Sequence, residues 1–196
     1  MLVAMHKSRL EAFSDGVLAI IITVMLLGLR APQGAEISAL FPLTHIFLCY
    51  VLSFVYIGIY WNNHHHLFQI VKHVNGPILW ANSHLLFWLS MIPFVTAWSG
   101  ENHFAEVPVA VYGVVLLLSA IAYFILTRVL LASHGQGSDL AKALGTDFKG
   151  KISVLLYALA IPLAFVSPYI ALGIYVLVAT VWIVPDRRVE KVIYNQ

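Results

Sequence analysis

The sequence predicts an all-α, polytopic membrane protein, a single domain (1–196) that crosses the bilayer six times. Three observations carry this. Of the 196 residues, 61% are hydrophobic and 10% are charged, against about 45–50% and about 25% in an ordinary soluble domain. Charge-poor runs of spanning length follow one another along nearly the whole chain. Lysine and arginine, finally, collect on one side of a six-span arrangement. A soluble chain of this length could not hide so much apolar surface, which excludes soluble enzymes, nucleic-acid modules and disordered tails. The net charge of +2 gives no argument for a nucleic-acid partner.

A spanning helix needs roughly 20 apolar residues. The first predicted helix covers about 6–30 and holds two acids, Glu11 and Asp15. The second (37–64) and third (74–99) contain no Asp, Glu, Lys or Arg, and the fourth (106–132) meets Arg128 near its end. The uncharged run from Ile152 to Pro185 is too long for one span. Pro162 and the pair Ser167-Pro168 divide it, because proline punctuates helices, which predicts short helices over 149–166 and 168–185. The N-terminus starts basic, but the run behind it is long, contains Asp15 and offers no small-x-small site before Arg30, so no cleaved signal peptide is expected. Cys49 lies in an apolar run and reads as a small core residue. With one cysteine there is no intramolecular disulfide.

With six spans, one side carries Lys7, Arg9, Lys72, Arg128, Lys142, Lys149, Lys151, Arg187, Arg188 and Lys191, and the other only Arg30. Ten against one places both termini in the cytoplasm. An odd number of spans would divide the basic residues between the two sides.

The first helix carries the unusual chemistry. Asp15 lies eight residues beyond Lys7, or about 12 Å into the membrane at 1.5 Å per residue. A carboxylate at that depth needs partners or water. Glu11, four residues away, repels it. Starting the helix at Gly16, with Ser14 or Asp15 as a cap, would leave a run too short to span. Donors at matching depth come from Arg9, from Trp61, His64, His65 and His66 at the end of the second helix, and from Asn82 and His84 on the third. Three consecutive histidines point about 100° apart on a helix and cannot converge on one ion without unwinding, whereas helical zinc sites use spacings such as i and i+4. A haem between His45 and His84 is disfavoured by their unequal depths. Neither a metal nor a cofactor is expected. Beyond Gly16, Ile20, Val24 and Leu27 share one helical face with Thr23 beside it. By periodicity alone, such a stripe reads as helix packing.

The segment Arg9-x-x-x-Phe13-Ser14-Asp15-Gly16, followed by Ile20 and Thr23, resembles the first-helix signature of the lysosomal potassium-channel family and its prokaryotic homologues. Trp61-x-Asn63-His64-His65 in the second helix, and Asn82 with Pro93-Phe94 in the third, are similar to that family in the expected order. The resemblance implies a homotetramer of six-helix subunits in a prokaryotic cell membrane, in contact with lipid, with the first helix of each lining a pore for potassium. It implies an apolar constriction at Ile20, with Val24 and Leu27 further out and Thr23 one turn beyond the neck. It also implies that Arg9, Phe13, Ser14 and Asp15 tie the first helix to Trp61, His64, His65 and Asn82. The chain departs from the family at His66, where arginine is usual, and at Val24, which is smaller than leucine.

A potassium-permeable channel is therefore the expected function. The Thr-Val-Gly-Tyr-Gly carbonyl filter of ordinary potassium channels is absent from the sequence. An apolar neck that partly dehydrates the ion would favour potassium, and such necks can gate by dewetting. A secondary transporter using Asp15 and His64–His66 is the alternative, but transporters hold ionisable groups near the midplane on broken helices, and the fifth and sixth spans carry no Asp, Glu or His. An intramembrane enzyme has no nucleophile or open metal motif behind it.

Overall fold

The computed structural model describes residues 7–135, 137–144 and 148–183, with the side chains of 142–144 left aside. The expected start of the first helix at 6, the end of the last at 184–185, the Lys142 side chain, Arg187, Arg188 and Lys191 lie outside the described residues. All regular structure among the described residues is helical: α1 (Lys7–Leu27), a 3₁₀ helix (Ile37–Leu43), α2 (Thr44–Ile70), α3 (Gly76–Ser90), α4 (Ile92–Glu101), α5 (Glu106–His134), α6 (Asp139–Leu144), α7 (Phe148–Leu163) and α8 (Pro168–Ile183).

Four helical stretches among the described residues are long and apolar enough to cross a membrane: Lys7–Leu27, Ile37–Ile70, Gly76–Glu101 and Glu106–His134. The paired helices α7 and α8 have 16 residues each, or about 24 Å, and are joined by a turn in which Ser167 N–H bonds to the Leu163 carbonyl at 2.9 Å.

Several helix ends differ from the sequence expectation. The second helix runs to Ile70 rather than 64, so His64–His66 are helical and the connection shrinks to 71–75. The drop in hydropathy after Trp61 does not stop the helix, which ends only where Val71 turns extended, and Gly76-Pro77 open the next helix, where proline is tolerated in the first turn. The third stretch breaks at Met91. Pro93 has no N–H for the Leu89 carbonyl, and Met91 N–H instead closes a tighter turn on Trp88 at 3.1 Å. Asn75 caps α3 by accepting from Ile78 N–H at 3.1 Å, which satisfies one of the free donors at a helix start. The first helix stops at Leu27 rather than 30, where Gly28 and Leu29 N–H turn back to Met25 and Leu26.

The long α5 forms the axis of the bundle and packs against α3, α4, α7 and α8, while α1 lies on α2, α3 and α4. Close approach depends on two glycines. A Cβ at Gly100 would come within 2.6 Å of the Ile46 backbone, and one at Gly113 would overlap the Tyr175 hydroxyl. Most polar side chains inside this apolar core pair with one another, as a low-dielectric interior favours, while Ser99 and Ser119 Oγ are buried without a partner among the described residues. Ser53 shares hydrogen bonds with Thr96 (2.6 Å) and Tyr112 (2.7 Å). Tyr157 donates to Tyr56 (3.1 Å), and Tyr56 donates to the Tyr175 carbonyl (2.6 Å).

Candidate functional site

Helix α1 has two faces of opposite character. Leu10, Ser14, Leu18, Ile21 and Met25 are buried, at the three- and four-residue steps of one helical face. On the far side Phe13 is 61% exposed, Ile20 62%, Val24 47% and Leu27 79%. Thr23 is exposed beside them, its hydroxyl bonded back to the Ile20 carbonyl at 2.8 Å. Such local back-bonding lets a helix carry a hydroxyl among apolar residues. A cleft of about 510 Å³ between α1, α2 and α4 opens beside Ile20 and Val24, walled by Met25, Tyr50, Phe94 and Thr96.

The buried face is fixed by a directed chain of hydrogen bonds. His64 Nε2 lies 2.8 Å from Asn82 Oδ1. Asn82 Nδ2 donates to Ser14 Oγ at 2.9 Å, and Ser14 donates to the Leu10 carbonyl at 2.9 Å. The amide oxygen can only accept, so His64 donates through Nε2. Ser14, His64 and Asn82 are all buried, and the chain joins α1, α2 and α3 at one level.

Asp15 belongs to a second, more open cluster. Its carboxylate accepts from Trp61 Nε1 at 3.0 Å, not from His64 or Asn82. Of the two donors at its depth, Asn82 turns instead to Ser14, the neighbour about 100° around the helix, and His64 turns to Asn82. His65 stacks on the Trp61 ring, with centroids 6.0 Å apart and planes at 17°, and lies 2.9 Å from Gln69 Nε2. The structure thus groups Ser14 with His64 and Asn82, and Asp15 with Trp61 and His65. Arg9 and Phe13 are exposed and stand outside both groups. The three histidines face different surroundings: His66 neither stacks on Trp61 nor reaches Asn82, and its Nδ1 is buried without a partner among the described residues. His84 accepts from Trp88 at 3.0 Å, and His45 pairs with His103, so neither turns to the other.

Sequence reasoning missed the Ser53–Thr96–Tyr112 cluster. Thr96 also reaches Met25 Sδ on α1 at 3.9 Å, which links the interior polar chain to the helix with the bare face. The available signal was a serine, a threonine and a tyrosine inside apolar spans, since a buried hydroxyl has to find a partner.

This arrangement can be set beside known proteins. The family model of the endosomal/lysosomal potassium channel TMEM175 matches residues 9–93. A protein of a Chryseobacterium species (strain P1-3), named as a potassium channel, is 57% identical over 187 residues, covering 95% of this chain and 97% of its own. The chain belongs to the TMEM175 family. A Streptomyces collinus relative, also named as a potassium channel, is 33% identical over 185 residues, covering 89% and 90%. The crystal structure of a lysosomal potassium-selective channel TMEM175 homologue from Chamaesiphon minutus superposes with a TM-score of 0.77 at 29% identity, over 90% of this chain and 95% of that one. The TMEM175 match begins at Arg9 and ends at Pro93, and so takes in α1, α2 and α3, the three helices that the His64–Asn82–Ser14 chain joins. The resemblance read from those helices is correct. TMEM175 is a family of ion channels, not of enzymes, and the apolar helices make this member an integral membrane protein.

Proposed function

We propose that the protein is the subunit of a potassium-permeable channel in the cell membrane, a homotetramer in which four copies of α1 surround the pore. Its relatives named as potassium channels supply the class. The observation that carries the pore assignment is the division of α1 into a face locked to α2, α3 and α4 and a bare face bearing Ile20, Thr23, Val24 and Leu27. One copy of α1 cannot enclose a lumen, so the pore requires other copies of the chain. In this reading six spans place both termini in the cytoplasm, in keeping with the ten-to-one distribution of lysine and arginine, and α7 and α8 are the two short final spans.

Four Ile20 side chains form the neck, with Val24 and Leu27 as further apolar rings and Thr23 supplying a hydroxyl one turn on. At the neck a passing ion sheds part of its water with little replacement, and potassium loses its shell at lower cost than sodium. Ser14, Asp15, Trp61, His64, His65 and Asn82 hold α1 at the correct rotation rather than touching the ion, while Arg9 and Phe13 of the same motif stand exposed outside that network. Potassium is the permeant species, and no cofactor takes part. Recording from purified protein in planar bilayers with potassium on one side and sodium on the other tests the reading. Unitary currents with a potassium-biased reversal potential are expected. Coupled flux without current steps would overturn it in favour of an exchanger.

A further inference from the structure

At the end of the bundle opposite His64 and Asn82, two histidines face each other. His45 stands in the first turn of α2 and His103 in the link between α4 and α5. Their Nδ1 atoms are 3.2 Å apart, and the rings meet edge to face, with centroids 4.8 Å apart at 87°. The link is shaped to bring this about. His103 and Phe104 take the left-handed φ values +50° and +59°, which residues with a Cβ rarely adopt. Three backbone bonds, from His103, Phe104 and Ala105 N–H to Gly100, Ser99 and Asn102, hold that turn. Phe104 packs against the His45 ring at 4.9 Å and walls one side, while His103 is exposed and leaves the other side to water.

We infer that His45 and His103 form a binding site for a divalent transition metal of the copper, nickel or zinc class. Imidazole nitrogens bind such metals at about 2.0–2.1 Å. Two nitrogens 3.2 Å apart then subtend an angle of about 100° at the metal, near the tetrahedral value. The proton held between the two Nδ1 atoms passes through solvent to the donor ring's Nε2, the neutral tautomer that frees both Nδ1 lone pairs for the metal, and water completes the coordination from the open side. The local charge suits a cation. Glu36, Glu101 and Glu106 lie at this end of the bundle against Arg30 as its lone basic side chain among the described residues. The bound ion would pin the start of α2 to the α4–α5 link. Imidazole sites prefer copper(II) among these metals, which makes it the most sensitive probe.

The test uses the full chain in detergent, prepared without a polyhistidine tag, with copper(II) followed by electron paramagnetic resonance and zinc(II) by calorimetry. The expected result is one tight site per chain whose copper spectrum carries splitting from two nitrogens. His103→Ala and His45→Ala should each weaken it by about tenfold or more, since losing even a supporting residue of a metal site costs about that much. His84→Ala, on another helix, should leave it intact. His103 is exposed, so its variant keeps the fold and remains decisive if His45→Ala does not assemble. Equal affinity and spectrum in wild type and His103→Ala, or no two-nitrogen signal in the wild type, would overturn the proposal.

Discussion

Asn82 donates to Ser14 across the α1–α3 contact at 2.9 Å while its amide oxygen takes the His64 ring at 2.8 Å. One side chain thereby fixes both the rotation of α1 and its distance from α2. The two bonds use opposite ends of the amide, so no single-function residue replaces it. Asn82→Ala strands the buried His64 imidazole, at a cost of roughly 1–3 kcal/mol for the unsatisfied group, and removes the donor to Ser14, whose hydroxyl keeps its bond to the Leu10 carbonyl. Thermal unfolding of the purified assembly should show that loss. A cycle of Ser14→Ala, Asn82→Ala and the double variant should give a coupling of about 0.5–3 kcal/mol, and additive effects would show that the bond does not hold the two helices together.

The Gly113 contact makes a second prediction, about packing. A Cβ there overlaps the Tyr175 hydroxyl and lies 3.2 Å from Ile161 Cγ1, and the tyrosine is also held through its bond to the Val109 carbonyl at 3.2 Å. Gly113→Ala should destabilise the subunit by about 1–3 kcal/mol, the usual cost of overpacking a core. Gly173 has open space around its Cβ position, so Gly173→Ala should be neutral or stabilising by up to about 1 kcal/mol from helix propensity. Melting curves of the two variants, which make the same chemical change, should separate, with that of Gly113→Ala falling and that of Gly173→Ala holding or rising.

These contacts show which parts of the molecule could be read from residues alone. The run lengths disclosed the apolar helices because the bilayer imposes a length on them. The ends were less legible, since hydropathy falls where the membrane ends and a helix stops where its backbone is broken. Trp61 to Ile70 falls between those two limits. Asp15 and Asn82 stood out because polar groups at depth are costly. Depth does not give rotation, however, and a 100° step around α1 decided that Asn82 meets Ser14 and Trp61 meets Asp15. The Ser53–Thr96–Tyr112 chain left little trace, because hydroxyls spread over three apolar helices have no spacing in common.

Topology makes the third prediction. Gly34 precedes the 3₁₀ helix and Gly137 follows α5, and six spans place them on opposite sides of the membrane. Cys49 is buried, so single cysteines at 34 and 137 can be labelled over little background. An impermeant thiol reagent added to intact cells should modify Cys at 34 and spare Cys at 137. Equal modification of both would rule out the six-span arrangement and the cytoplasmic termini together.

The last prediction concerns the bare face of α1. Ile20 is 62% exposed in one subunit, while Ile21, the next residue, is 4% exposed. Replacing each by Asn separates a lumen from a packed core. At Ile21 the amide would be buried among apolar side chains without partners, costing roughly 1–3 kcal/mol on protein mutational scales, and assembly should suffer. At Ile20 water in a pore satisfies the amide, so gel filtration should show the same assembly as the wild type. A lipid-facing Ile20 would instead behave more like Ile21, because hydrocarbon offers the amide no partner. In the channel, four amides at the neck would replace part of the water an ion sheds there. The dehydration difference between potassium and sodium then shrinks, so conductance should rise while selectivity falls. The reversal potential under bi-ionic potassium and sodium reads this directly. A well-assembled Ile20→Asn channel with an unchanged reversal potential would remove Ile20 as the selective ring and pass the role to Thr23 or Leu27 on the same face.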